Sequence, residues 1–282
     1  AVGDIMLARS IGQRAVASGA GLVFGDDLAA LLRSADITVG NLECAVAETG
    51  QPQSKGYTFR APPSALDALD LAGFDAVSLA NNHALDYGPT ALLDTASNLA
   101  RHRIEAVGAG ADSAAAMGSR VIVRGGLRIA IVGLVEVAEE GAGFSRRTWE
   151  ATATRPGVAW ADTDTVTASV KAAAASADIV IAMLHFGIEY DANPSARQRQ
   201  LAHAAIDAGA TLVIGSHPHV LQPVEEYGSG LIAYSLGNFV FDGFDGTSND
   251  SAVLRVTLSR TGVDAWELLP VKIVDNGLPR LR

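Results

Sequence analysis

"ATLVIGSHPHVLQPVEEY", residues 210–227, decides how this chain folds. Thr211 to Ile214 is a short run of apolar and β-branched residues, the pattern of a buried strand. The run stops at Gly215, and His217 and His219 follow on either side of Pro218. A helical stretch over 195–209 leads into it. A helix feeding a strand that ends in polar residues is the repeating unit of a parallel sheet. Alternate residues of an extended segment face one side, so both imidazoles would address one centre. Pro218 restricts the backbone between them.

The same unit recurs upstream. "AVGDIML" is a strand, and "DDLAALLRSA" is a helix running into "DITVG". "PSALDALDLAG" is helical up to Gly73 and leads into "DAVSLA". A helix over 89–102 leads into "IEAVGAG". "SRVIVRGGLRIAIVGLVEV" reads as a hairpin around Gly125-Gly126. Residues 138–163 are polar and irregular and read as a long surface loop. Helix 164–176 then feeds "DIVIAMLHFG", and strand signals alone follow residue 219. The expectation is a single α/β domain over 1–282, with two sheets inside and helices outside.

Composition narrows the function. Of 282 residues, 49% are apolar and the net charge is −10, with no Lys/Arg run. That argues against a nucleic-acid partner, which needs a basic face. Cys44 is the only cysteine, which excludes an intrachain disulfide and a multi-thiolate zinc site. No apolar run reaches the roughly 20 residues of a membrane span. The chain opens inside a strand pattern, so a targeting or anchoring segment ahead of Ala1 stays open.

The polar residues gather at strand ends. Strand one carries Asp4, the second Asn41 and Glu43, the third Asn81, Asn82 and His83, and later strands His185 and then His217 and His219. In open α/β sheets these carboxyl ends form the ligand crevice. Each cluster taken alone is also ordinary turn chemistry. Five on one rim, with four of the six histidines, favour a site. Imidazole with carboxylate or amide oxygen suits manganese, zinc or iron.

"GDIML", "GNLE", "NNHALDYG", "LHFGIEY", "GSHPHVLQP" and "YSLGNFVFD" come in order from residue 3 to 242. This series resembles the CapA family of capsule and poly-γ-glutamate biosynthesis proteins, a family related to calcineurin-like metallophosphoesterases. The resemblance implies a four-layer α-β-β-α sandwich with one or two divalent ions at the strand ends. It assigns Asp4 and His219 to one metal and Asn82, His185 and His217 to another, with Asn41 in the bridging position. His83 would protonate the leaving group. An extracytoplasmic location follows by family analogy, and a cytoplasmic one stays open. The sequence departs from the phosphoesterase pattern twice. Met6 stands where a histidine ligand is expected, and Asn41 where a bridging aspartate is. A bridging anion offsets repulsion between two dications, so one ion, two ions and metal-free proton transfer all stay open.

Other roles follow from residue type. Asp86 would orient His83 as a general acid, or cap the following helix. Arg9 and Arg60 could grip an anionic substrate, with Glu43 and Asn238 as further contacts. Three functions compete: a metal-assisted hydrolase of a phosphoester or γ-glutamyl amide, a non-catalytic polymer-binding or export factor, and a metal-free acid/base enzyme such as a peptide epimerase.

Overall fold

The structure is a computed structural model that describes residues 1–140 and 143–282. In chain order its main strands are β1 (Asp4–Ile5), β2 (Val39–Leu42), β3 (Ala76–Ser78), β4 (Glu105–Val107), β5 (Arg120–Arg124) and β6 (Leu127–Glu136). They continue as β7 (Ile179–Phe186), β8 (Leu212–Ser216), β9 (Val224–Tyr227), β10 (Gly230–Ala233) and β11 (Asn238–Val240). One sheet runs β11-β1-β2-β3-β4 with every pair parallel. The other runs β9-β10-β8-β7-β6-β5, parallel in its centre and antiparallel at both edges. Strands Asp250–Ser259, Gly262–Val274 and Leu278–Leu281 form a third, antiparallel sheet.

Side-chain alternation builds the layers. On β7, Val180, Ala182, Leu184 and Phe186 pack with Val166, Val170, Leu201 and Ala205 of the outer helices. Ile179, Ile181 and Met183 point the other way and meet Val39, Ala76 and Val107 of the first sheet. The far face of that sheet, with Ile5, Leu42 and Val77, packs on Ile11, Leu28, Leu69 and Leu92. The order is therefore helix, sheet, sheet, helix, a mixed α/β architecture. Each large apolar side chain taken from water contributes about 1.5–3 kcal/mol.

The same alternation aims the rim. His185 continues the row Ile179, Ile181, Met183, so it faces the first sheet. Asn41 continues from Val39, and Ser216 from Leu212 and Ile214, toward the same gap. Asp4 is paired in register with Asn41 on one side and Asn238 on the other. The helix Ala196–Asp207, closed at its start by a Ser195–Gln198 capping box, carries the chain from β7 to β8. Gly215 lets β10 approach, since a Cβ there would lie 1.9 Å from the Tyr234 carbonyl oxygen.

Two expectations need correction. The segment 138–163 is not a surface loop in its described part: Phe144, Trp149, Val158 and Trp160 are buried in the core. Its polar composition hid these anchors. Residues 141 and 142 of that stretch lie outside the described residues. Nor is "SHPH" extended. His217 and His219 have φ of 100° and 57°, so the chain turns sharply after β8. The helix Arg9–Ser18 had no counterpart in the sequence reading. Among the described residues no helix is long and apolar enough to cross a membrane.

Candidate functional site

Asp4 lies at the centre of the rim and is fully buried. Its Oδ1 accepts the Asn41 amide at 2.8 Å, and its Oδ2 accepts the His217 backbone N–H at 3.2 Å. His219 Nδ1 lies 3.6 Å from Oδ2. Burial pushes the Asp4 carboxyl above its ordinary range, and the His219 charge and the Asn41 hydrogen bond partly oppose this. Glu43 is pushed well above its ordinary range, first by burial and then by the Asp4 charge.

His185 is held in one tautomer. Nε2 faces Asn82 Oδ1 at 3.0 Å and must donate to it. Nδ1 then accepts from Ser216 Oγ at 2.9 Å, with the Asn41 amide nitrogen at 3.2 Å. Burial holds His185 and His217 well below the ordinary histidine range, so both are neutral imidazoles; His217 keeps Nδ1 unpaired, while His185 would have to release Ser216 to bind a cation. The His185 and His217 ring centres are 4.9 Å apart, and those of His217 and His219 are 6.0 Å apart. The turn at residues 217–219 thus brings both histidines to one place by left-handed backbone rather than by strand alternation.

His83 forms a second station. Its Nδ1 lies 2.7 Å from Asp86 Oδ2, which also accepts the Phe59 N–H at 2.7 Å. The ring stacks on Phe59 at 4.3 Å. Asp86 is a partner of His83 rather than a cap, because the following helix takes Tyr87 at its N-cap. Burial lowers the His83 pKa and outweighs the upward pull of Asp86, the reverse of what the pair alone would give.

The residues offer two cation-type groupings. Ligand atoms of Asp4, Glu43 and His185 lie within 4.8 Å of one another, and so do those of Glu189, His217 and His219. Among the described residues, His217 Nδ1 is buried without a hydrogen-bond partner, and the buried Glu43 oxygens find none except the neighbouring Asp4 carboxyl, with which Glu43 can share a proton. Such groups are costly to leave unpaired, and a divalent cation would satisfy them. Asn41 fits such a cation less well. Its amide nitrogen faces Asp4 and His185, while its oxygen accepts the Asn81 amide at 3.1 Å.

Several expected contacts fall elsewhere. Asn238 spends its oxygen on His219 Nδ1 at 2.8 Å and its nitrogen on the Ser248 carbonyl at 3.1 Å. It therefore orients His219 and has no exposed amide for a substrate. Arg60 is exposed, bound to the Thr49 and Gly50 carbonyls and stacked 4.3 Å over Tyr87. Glu43 is buried beside Asp4 and His185. Arg9 keeps a part-exposed guanidinium, paired with Asp242 and 4.8 Å over the Phe59 ring. The sequence reading missed Ser216, Glu140 and Lys55. Ser216 was legible from its place in the Leu212–Ile214 alternation. No local pattern marks the other two.

Comparison with known proteins now bears on this geometry. The family described as "Bacterial capsule synthesis protein PGA_cap" matches residues 1–243. The chain belongs to this family. The "PGA biosynthesis protein CapA" of Bacillus subtilis (strain 168) is 34% identical over 277 residues, covering 96% of this chain and 70% of that one. The "Capsule biosynthesis protein CapA" of Bacillus anthracis is 33% identical, covering 99% and 68%. A crystal structure of a hypothetical protein from Thermus thermophilus superposes with TM-score 0.59 at 15% identity, covering 96% of this chain and 97% of that one. At that identity the likeness concerns the fold alone.

Proposed function

We propose that this chain is a CapA-like protein of capsule or poly-γ-glutamate biosynthesis or processing, with a hydrolytic site acting on an anionic polymer. The bond cut would be a phosphoester or a γ-glutamyl amide. The names of the two Bacillus relatives support the biological setting. The observation that carries the chemistry is the set of buried groups, the unpaired His217 Nδ1 and the Glu43–Asp4 carboxyl pair, facing neutral imidazoles.

Asp4, Glu43 and His185 on one side, and His217, His219 and Glu189 on the other, would hold manganese, zinc or iron, one ion or two. When bound, the ion supplies Lewis-acid polarisation of a carbonyl or phosphoryl oxygen. Asn41 and Asn238 orient Asp4 and His219. With its Nδ1 proton committed to Asp86, His83 would take at Nε2 the proton released by the attacking water and pass it to the leaving atom as the bond to that atom breaks. A pKa held low by burial keeps the resting ring neutral and makes it a ready donor once it has taken up a proton. Arg9 sits near this station through Phe59 and can meet a substrate carboxylate.

A second reading draws on the Asn41–Asp4 hydrogen bond. With a neutral amide there, Asp4 and a histidine could move protons at a peptide α-carbon without metal. We also read 1–282 as one domain, since Val253, Leu254 and Val271 of the third sheet share core clusters with the first two.

The test is elemental analysis of protein purified without added metal, with phosphodiesterase and γ-glutamyl hydrolysis assays. Near-stoichiometric manganese, zinc or iron, lost together with turnover in His217→Ala, is expected. Metal-free protein that exchanges a substrate α-proton with heavy water would replace the hydrolase with the second reading.

A further inference from the structure

We infer that Lys55 is a positioning residue of the rim, whose ammonium ties the His83–Asp86 pair to the Asn82–His185 arm. Its side chain is 0% exposed, although it comes from a loop with no helix or strand around it. A buried ammonium is costly unless its donors are met. Nζ lies 3.2 Å from Asp86 Oδ1 and 3.6 Å from Glu140 Oε1, and it donates to the Asn82 carbonyl oxygen. The Trp149 ring lies 5.2 Å away.

These partners are not interchangeable fillers. Asp86 uses its other oxygen to hold His83 Nδ1. Glu140 Oε1 accepts the Asn82 side-chain amide at 2.8 Å, which turns Asn82 Oδ1 toward His185 Nε2. Lys55 thus touches both chains of hydrogen bonds at one atom. The loop carrying it is strapped to the same turn, since Gln53 N–H donates to the Asp86 carbonyl at 2.8 Å. A lysine suits this position because a compact ammonium can donate to Asp86 and the Asn82 carbonyl while its charge faces Glu140, which a planar guanidinium fork does not match.

The role in turnover rests on the hydrolase reading, and the test separates the two. Lys55→Met keeps the apolar stem and removes the charge. Circular dichroism reports whether the variant folds, and imidazole ¹⁵N NMR without added metal reports the His83 and His185 tautomers. Folded Lys55→Met is expected to lose the single-tautomer signals of both rings. Its kcat should fall about 100-fold with KM little changed, as misplacement of reacting groups by about 1 Å costs. Lys55→Arg should recover only part of this. If Lys55→Met does not fold, Lys55→Gln, which keeps a polar head without the charge, takes its place. Parental NMR signals in the folded variant, with only the melting temperature lowered, would overturn the proposal. Altered signals in a protein whose parent hydrolyses nothing would instead sink the hydrolase reading and leave the positioning role standing.

Discussion

Asn41 donates its side-chain amide to Asp4 Oδ1 at 2.8 Å, from the register-paired position on the neighbouring parallel strand. A neutral donor therefore sits where a second carboxylate would face the first. Asn41→Asp should cost the metal-free protein about 2 kcal/mol, because a hydrogen bond becomes a buried like-charge contact. Manganese should then bind at least about tenfold tighter and restore the loss. Melting curves with and without Mn²⁺, and calorimetric titration, check this. A variant that manganese neither binds nor rescues would count against a cation at Asp4.

His83 and Asp86 form a second pair, 2.7 Å apart. On any substrate that supports turnover, His83→Ala should lower kcat by about 10²–10⁴-fold, the usual worth of a positioned acid or base. Metal content should be unchanged, since His83 belongs to neither cation-type grouping. Loss of metal along with activity would move His83 into the ligand set.

Tyr234 and Glu225 give a pH prediction away from the rim. The Tyr234 hydroxyl donates to Glu225 Oε2 at 2.7 Å and, as the largest cause, holds that carboxyl below its ordinary value of 4.5. A depressed acid contributes stability above its unfolded pKa, and that contribution is lost as pH falls through the folded value. Tyr234→Phe should therefore cost about 1 kcal/mol at pH 7, given the partly exposed carboxylate, with a shrinking difference below about pH 4.5. Paired melting curves from neutral to acid pH test it; a gap that widens with acid would contradict the assignment.

Cys44 is buried, and burial pushes its thiol up to about 12. Thiolate is the reactive form. The folded protein should show no reaction with a disulfide reagent at mildly alkaline pH, and one equivalent after unfolding in guanidinium. Rapid native labelling would mean the β2 end opens.

Gly215→Ala should destabilise by about 3 kcal/mol or more, since the added Cβ would meet the Tyr234 carbonyl backbone at 1.9 Å. Denaturant titration measures the loss. A cost under about 0.5 kcal/mol, the range of an ordinary surface change, would show that β8 and β10 can part freely.

Most of the helices and strands, and the rim, are legible in the amino-acid sequence, the Arg9–Ser18 helix and the buried anchors of 138–163 excepted. Apolar runs ending in Asp4, Asn41, Asn82, His185 and His217 mark strand ends because burial of a strand and exposure of its tip are local properties of composition. The sequence also determined Gly125-Gly126 as a tight hairpin turn, with both residues at positive φ. What each rim residue touches is set by packing between distant segments. Whether the Asn238 amide meets a substrate or His219, and whether Arg60 turns to the site or to Tyr87, depends on neighbours distant in the chain. Lys55 shows the limit most plainly. A lone lysine in a polar loop has no sequence mark, and it becomes a site residue because Asp86 and the Asn82 carbonyl meet its buried ammonium, with the exposed Glu140 nearby. Periodicity encodes which face a residue takes; long-range packing alone encodes its partner.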